Sequence, residues 1–458
     1  MELSATSEYA FVGEGNAHVV VRYGDNVLKL KKRKESFDHE IKYISGVVDP
    51  LLSASYQSLG TRRLIALTQD FVGSLNEAIW AHRPASRRAF TAIDASNKYA
   101  VEEDDATRMV RWFPSNHNLA VEIKVKCGLK CSSPFYYNYC NNNDRLFKLK
   151  LSRYELKQMY KTIASSDTFA PRSNAYNPCD LCSTDRERIA KSLMDLYDCP
   201  QNNFKITSST HGVLHDGIGS KGKELLDRLN EYFGSSQVTE GFIPVVSNVL
   251  ASESVLAEVQ QLQGLDVLDV EGVSLVYTKL LTALGTQSAV LETIHAYTPS
   301  TADIVFLMST GCTATSSSHV QLFMGLKSLQ VASGESEESI ASRYRQALQL
   351  LDSASVDDCL FLLHTYLLAL TMRDASIIIA FTVNERQDTP DLPDLCDVRS
   401  TQSHCGVGAV TIRASHRTTE LNYRITLCDI GPKPAKKLIN KQDEEEDMCK
   451  LVYNSVAL

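Results

Sequence analysis

Several residue groups in this chain have the types and spacing to handle phosphate. Gly13-Glu14-Gly15-Asn16-Ala17-His18 lies between two runs rich in β-branched and aromatic residues. A glycine turn there lets backbone N–H groups approach phosphate oxygens, since glycine has no Cβ to block them. Lys29, on a run beyond the turn, would bring a cation to the same oxygens. Glu122-Ile123-Lys124-Val125-Lys126-Cys127-Gly128 alternates as a half-buried strand does, which puts Lys124 and Lys126 on one face beside Glu122. Two like charges held so close repel unless an anion lies between them, so the pair reads as a phosphate clamp or as an exposed strand face. Asp374 stands at the mouth of an apolar run over 375–383. It suits a general base for a hydroxyl, or merely a helix cap or turn. Asp429 ends the run 423–428 and precedes Lys433, Lys436, Lys437 and Lys441. An aspartate there suits Mg²⁺ bridging phosphates and the lysines suit a polyanion, although a solvated basic loop has the same letters. In Pro200-Gln201-Asn202-Asn203-Phe204-Lys205, paired amides can bond hydroxyl and phosphate oxygens, or form only a turn.

The elements that must hold these residues follow from periodicity. Residues 10–12, 19–23 and 27–30 read as strands joined by the glycine turn and by Gly24-Asp25-Asn26. The basic run 31–34 reads as solvated. Helical spacing appears over 71–81, and Glu102-Glu103-Asp104-Asp105 reads as an acidic break, a linker or a hinge. From 151 the pattern turns helical: 152–161, 185–197, 221–233, a block over 252–284 interrupted at 265–272, and 339–372. The end of 300–318 is loop-like. Strands return at 375–383 and 423–428. The acidic run 443–447 reads as a solvated loop or helix face.

The chain has 458 residues, 43% of them hydrophobic, which is too much for one simple core, so two lobes or domains are expected. A net charge of −8 disfavours a general nucleic-acid binder. The 12 cysteines follow a polar start rather than a signal-like apolar run, so they are expected to stay reduced. Without a stretch of about 18 apolar residues, no membrane span is expected. The expectation is a soluble monomer of the cytoplasm and/or nucleus.

Taken together and in order, these segments resemble the inositol-pentakisphosphate 2-kinase family over nearly the whole chain. The similarity rests on Gly13–His18, Glu122–Gly128, Ser152–Lys161, Pro200–Phe204, Leu268–Gly272, Arg373–Ile377 and Asp429–Pro434. The resemblance implies an α+β, two-lobed inositol phosphate kinase fold distantly like protein kinases. A small β-rich N-terminal lobe would span 1–103. A larger lobe would span 104–458, with a helical inositol-phosphate-binding insertion over about 145–370. It implies phosphorylation of the 2-hydroxyl of inositol 1,3,4,5,6-pentakisphosphate by ATP with Mg²⁺, giving inositol hexakisphosphate. Gly15, Asn16, Ala17 and His18 would cover the ATP phosphates, with Lys29 and Lys205 pairing the nucleotide and Glu103 at the adenine hinge. Glu122 would lie beside the nucleotide, and Lys124 would touch ATP and substrate. Arg87, Lys126, Lys161, Asn202, Asn203, Lys433, Lys437 and Lys441 would hold the inositol phosphate. Asp374 would take the 2-hydroxyl proton and Asp429 would hold Mg²⁺.

The chain departs from the family pattern in places. Val125 replaces the signature proline. Lys29 and Lys437 stand where arginine is common, which keeps charge and loses the bidentate fork. Lys441 stands for a tyrosine of plant relatives and Lys157 for a histidine. The zinc ligands of plant members are reduced here to His295, Cys312 and His319, so zinc is not expected, and Cys179-Asp180-Leu181-Cys182 has no second pair nearby and reads as a loop before a helix. The alternative is a catalytically silent inositol-polyphosphate scaffold, against which both Asp374 and Asp429 stand. A protein kinase is disfavoured because neither His-Arg-Asp nor Asp-Phe-Gly occurs.

Overall fold

The computed structural model describes residues 9–33, 36–57, 62–88, 92–110, 113, 117–138, 148–164, 176–216, 222–309, 317–332, 334–384, 399–401, 407–414, 417–439 and 441–456. Strands β1 (Tyr9–Glu14), β2 (His18–Tyr23), β3 (Asn26–Lys31), β4 (Arg63–Ala66) and β5 (Tyr99–Asp104) form one antiparallel sheet in the order β1-β2-β3-β5-β4. Alternate residues Val19, Val21, Leu28 and Leu30 turn inward, because strand side chains point to opposite faces. They pack on Phe71, Val72, Leu75 and Ile79, the apolar stripe of a helix that the sheet carries.

The second sheet holds β6 (Leu119–Lys124), β7 (Phe204–Ser208), β8 (Gly212–His215), β9 (Ser376–Asn384), β10 (Arg399–Thr401), β11 (Val407–Ala414) and β12 (Arg417–Cys428). Its order is β10-β11-β12-β9-β6-β7-β8, all antiparallel. With the α-helices the chain is α+β.

Helices accompany both sheets. Numbered along the chain they are α1 (Asp38–Tyr43), α2 (Gln69–Ile79), α3 (Ala85–Arg88), α4 (Arg153–Ala164), α5 (Pro178–Leu181), α6 (Arg186–Asp198), α7 (Gly222–Phe233) and α8 (Phe242–Ser252). Then follow α9 (Val255–Gln263), α10 (Asp269–Leu284), α11 (Gln287–Ala296), α12 (Thr301–Met308), α13 (Ser318–Ser328), α14 (Glu337–Ser353), α15 (Val356–Asp374) and α16 (Lys441–Val456). Helix α15 is buried along nearly its whole length and delivers Asp374 as its last residue, directly before β9. Among the described residues no single helix is long and apolar enough to cross a membrane.

Several expectations need correction. The block over 339–372 is two helices, parted at Ala354 and Ser355, where a Ser355–Asp358 capping box starts α15. The block over 252–284 is broken twice, at 253–254 and at 264–268, the second break ending earlier than expected. Lys31 and Lys32 of the basic run are buried, not solvated, since each has a carboxylate partner, Glu40 and Glu14. The acidic stretch at 102–105 is no linker: Glu102 and Glu103 lie within β5, and Asp105 is buried against Arg22 at 2.6 Å. Glu445 of the acidic run is buried too. The Cys179–Cys182 segment is a single helical turn, α5, capped by Asn177.

The two sheets have separate apolar cores, with one crossing. Ile44, Val47, Val48, Leu51, Leu52 and Tyr56 fall between β3 and β4 in sequence, yet they belong to the core of the second sheet. The backbone carbonyl of Tyr56 accepts the N–H of Leu427 on β12 at 3.1 Å.

Candidate active site

Strand register gathers the candidate residues at one end of the second sheet. Lys124 on β6 lies opposite Ser376 on β9, and Ser376 opposite Cys428 on β12. On the other side of β6, Glu122 pairs with Lys205 of β7. Asp374 and Asp429 are therefore adjacent chain ends, one entering β9 and the other leaving β12. The first sheet faces this edge: the electrostatic neighbours of Lys29 include Cys428 and Asp429.

Two carboxylate centres result. At the first, Lys124 Nζ stands 3.7 Å from Asp429 Oδ2 and Lys205 Nζ 3.6 Å from Glu122 Oε2. The Ser376 hydroxyl is within reach of both acids, 3.1 Å from Glu122 Oε1 and 3.4 Å from Asp429 Oδ2. At the second, Lys433 Nζ lies 2.7 Å from Asp374 Oδ2 and Lys126 Nζ 3.9 Å from Asp374 Oδ1. Burial raises the Asp374 carboxyl, but the lysines, Lys433 foremost, outweigh it and hold the group below its ordinary value.

The surrounding cations are crowded. Burial lowers Lys126, and although Asp374 works against it, Lys124, Lys157 and Lys433 lower it further. Burial and then Lys433 lower Lys437, and burial and then Lys157 lower Lys161. Lys441 is pushed down to about 8 by burial, with Arg153 and Arg373 adding to it. Lysines brought together against their own repulsion make a site for a multiply charged anion.

The backbone around them is strained. Lys126 and Asp429 have φ of +61° and +60°, and Gln201 has +50°. Left-handed non-glycine residues cost about 1–3 kcal/mol each and persist only where surroundings enforce them. At Lys126 the enforcer is Gln263, fully buried. Its Nε2 donates to the carbonyls of Lys126 at 2.6 Å and Met372 at 3.2 Å, and its Oε1 accepts the Gly128 N–H at 2.8 Å. So Lys126 does not extend the strand face of Lys124, as alternation suggested; β6 stops at Lys124 and Lys126 reaches Asp374 from a turn. Gly128 is required there, since a Cβ would come within 2.5 Å of Cys182 Sγ.

In the first sheet the glycine hairpin is held from behind. Arg83 makes a two-pronged pair to Glu14 at 2.7 and 2.8 Å, both side chains buried, and Arg87 Nη1 donates to Asn16 Oδ1 at 2.6 Å. Gly15 N–H bonds the His18 carbonyl at 2.9 Å, leaving Ala17 at the tip, and His18 faces Glu40 at 3.4 Å. A Cβ on Gly13 or Gly15 would meet nothing within 4 Å, so packing does not demand glycine there and open space lies above the turn. Lys29 Nζ is 2.7 Å from Glu103 Oε2, and Arg62 also holds that carboxylate at 3.2 Å.

The amide segment divides. Asn202 is exposed, whereas Asn203 is buried, takes the Lys124 N–H on its carbonyl at 2.8 Å and turns its Nδ2 to Tyr154 at 3.0 Å. Asn203 fastens β6 to α4 rather than opening toward the lysines. Lys161 lies on exposed α4 surface two turns beyond Arg153. The sequence showed Lys157 only as a departure from the family pattern, and Ser376 and Gln263 were overlooked. Lys157 had a signal, standing four residues before Lys161 on one helix face, while Gln263 had none.

Among the described residues no cluster of three or more His, Cys, Asp or Glu side chains is set to hold a metal ion. Cys312 lies outside those residues, His319 pairs with Asp303 at 2.8 Å, and His295 stacks on His39 at 4.2 Å. A cavity of about 480 Å³ lies beyond the Lys126–Gly128 turn, lined by Leu129, Lys130, Arg153, Met324 and Arg373 among others. None of the residues expected to bind nucleotide, inositol phosphate or metal lines it.

The family model described as inositol-pentakisphosphate 2-kinase matches residues 11–447. An inositol-pentakisphosphate 2-kinase of Arabidopsis thaliana is 23% identical over 409 residues, covering 87% of this chain and 74% of the relative. One of Oryza sativa subsp. indica is 27% identical over 246 residues, 52% of this chain and 53% of the relative. One of Danio rerio is 24% identical over 357 residues, 61% of this chain and 71% of the relative.

Proposed function

We propose that this chain, which belongs to the inositol-pentakisphosphate 2-kinase family, transfers the γ-phosphoryl group of ATP to the 2-hydroxyl of inositol 1,3,4,5,6-pentakisphosphate, giving the hexakisphosphate. The observation that supports this most is the convergence of Lys126, Lys433 and Lys437 on the single carboxylate Asp374. A hydroxyl acceptor needs such a base, and an acceptor bearing five phosphates needs such a surplus of cations.

In this reading the first sheet with α2 and α3 is the small lobe, 1–103. The remainder, 104–458, is the large one, with the substrate-binding insertion over about 145–370. ATP lies between them, under Gly15–His18 and against Lys29, Lys124 and Lys205, with the backbone near Glu103 beside adenine. The inositol phosphate lies on Lys126, Lys161, Lys433, Lys437 and Lys441, with Asn202 at its margin and Arg87 reporting from the small lobe. Asp374, ionised and oriented by Lys433, aligns the hydroxyl and receives its proton. Catalysis is then mainly positioning and charge stabilisation.

The donors near Asp429 fit a hard cation. Asp429 is half exposed, and Glu122 lies one serine hydroxyl away. Asp429, with Glu122 beside it, would hold Mg²⁺, which neutralises phosphate charge when bound. We place the protein in the cytoplasm or nucleus as a monomer.

Incubation with labelled ATP, Mg²⁺ and inositol pentakisphosphate tests the reading. Labelled hexakisphosphate is expected from the wild type and not from Asp374→Ala. No product from a wild-type protein that still binds the pentakisphosphate would instead make it a silent scaffold.

A further inference from the structure

The acidic run before the C-terminus contains a carboxylate that no phosphate-handling role uses. Glu445 on α16 is 2% exposed, and two cations meet it there. Arg153 of α4 bonds its Oε2 through both Nε, at 2.6 Å, and Nη2, while Lys148 Nζ lies 2.8 Å from its Oε1. The same Lys148 reaches Glu271 at 2.6 Å and Asp269 at 3.2 Å, both in the first turn of α10. Arg153 also reaches Asp269 at 3.4 Å. Asp269 itself is held at φ +52°, its N–H bonded to Asp266 Oδ1 at 2.7 Å. Asp266 Oδ2 in turn takes Arg373, the neighbour of Asp374, at 2.6 Å.

The spacing of these charges along their helices gives the cluster its meaning. Arg153, Lys157 and Lys161 recur every four residues and share one face of α4; Lys441 and Glu445 do the same on α16. An apolar seam of Leu156, Cys449 and Val452, flanked by Met159, Tyr160 and Ile163, packs the two helices together. Such a seam permits sliding by a turn, because one apolar residue fits much as another. A buried, multiply bonded ion pair does not, since displacement leaves a buried charge unpaired. The Arg153–Glu445 pair lies one turn from Lys157 on one helix and one turn from Lys441 on the other.

We propose that Glu445 is a positioning residue for the polyphosphate pocket: through Arg153 and Lys148 it sets the register of α16 against α4 and α10, and so the spacing of Lys157, Lys161 and Lys441. This rests on the reading of those lysines as the inositol phosphate site. Glu445 is not a catalytic residue, for it touches neither reacting group. Its role is selective. The nucleotide residues hang on β3, β6 and β7, none of which supplies a charge to the cluster, so its loss falls first on the inositol phosphate.

The test measures Kd for inositol pentakisphosphate and for an unreactive ATP analogue, and KM for each substrate, in Glu445→Gln. The wild type is measured first; if it neither binds nor phosphorylates the pentakisphosphate, the underlying functional reading fails and not this proposal. The expected result is at least a tenfold rise in Kd and KM for the inositol phosphate, the scale on which distant misplacement is felt, with nucleotide binding unchanged and partial rescue by Glu445→Asp. A core variant remote from the cluster, Ile189→Ala, serves as a stability control. Should Glu445→Gln bind both ligands as wild type does, or lose both in step with its melting temperature as Ile189→Ala does, the proposal is overturned. Asp269→Asn carries the same expectations and decides the matter where Glu445→Gln fails to fold.

Discussion

Asp374 and Lys441 carry opposite lessons about burial. The carboxylate stays ionised because lysines outnumber the burial that opposes them. Replacing it by asparagine keeps the shape and removes the proposed base, so kcat should fall by about 10²–10⁴-fold, the usual worth of a general base, with little change in Kd for the inositol phosphate; single-turnover assays separate the two. Lys441, held down to about 8, is the reverse case. A polyanion favours its charged form. Between pH 8 and 9 binding of inositol pentakisphosphate should therefore take up protons, and affinity should weaken as pH rises through that range. Calorimetry in buffers of different ionisation enthalpy reads the uptake, and Lys441→Met should reduce it. An uptake unchanged in that variant would assign the titration to another group.

Elements set what side chains can do, and here a turn does the most. The Lys126–Gly128 turn is held by Gln263 and pressed onto Cys182. Gln263→Leu strands the Gly128 N–H and the Lys126 carbonyl, each at a cost of about 1–3 kcal/mol. It should lower stability in urea and, by freeing Lys126 from Asp374, reduce turnover beyond what the stability loss explains. Gly128→Ala should cost about 1–3 kcal/mol by overpacking, with part regained in the double variant with Cys182→Ala; strict additivity would refute the contact. Periodicity made most of these elements legible. The strands flanking Gly13–Gly15 and the helices α4, α6 and α7 stand within a few residues of where alternation and 3.6-residue spacing put them, whereas α8 and the single turn α5 were not read as helices. The turn was not legible, because its cause, Gln263, lies more than a hundred residues away and a left-handed backbone leaves no pattern. For the same reason the buried Lys31, Lys32 and Glu445 looked solvated: a charge shows its own letter but not its partner's position. Among the candidate residues, Lys124, Lys126, Asp374, Lys433 and Asp429, which lie together in the structure, were legible as candidates because their types suit the chemistry, and Ser376 was missed because a strand serine suits many roles.

For the molecule as a whole, the lysine surplus is a stored repulsion that a ligand relieves. Inositol hexakisphosphate should raise the melting temperature, by the equivalent of about 2.7 kcal/mol at a hundred times its Kd. Salt near 1 M, where the screening length is about 3 Å, should shrink that gain sharply for the exposed lysines. Differential scanning calorimetry with and without ligand across an ionic-strength series measures both, and a salt-independent gain would contradict an electrostatic pocket.

The segment from Ile44 to Tyr56 leaves the first sheet, joins the core of the second and returns. On the ribosome its timing is awkward. Domains generally fold as units, the N-terminal first during synthesis, but Tyr56 waits for Leu427, almost the whole chain later. Ile44, Val47, Val48, Leu51 and Leu52 likewise share a core only with residues from 119 onward. The nascent chain must carry an apolar arm in the open until that core is made, a natural client for a chaperone, and the N-terminal sheet expressed alone would inherit that arm permanently.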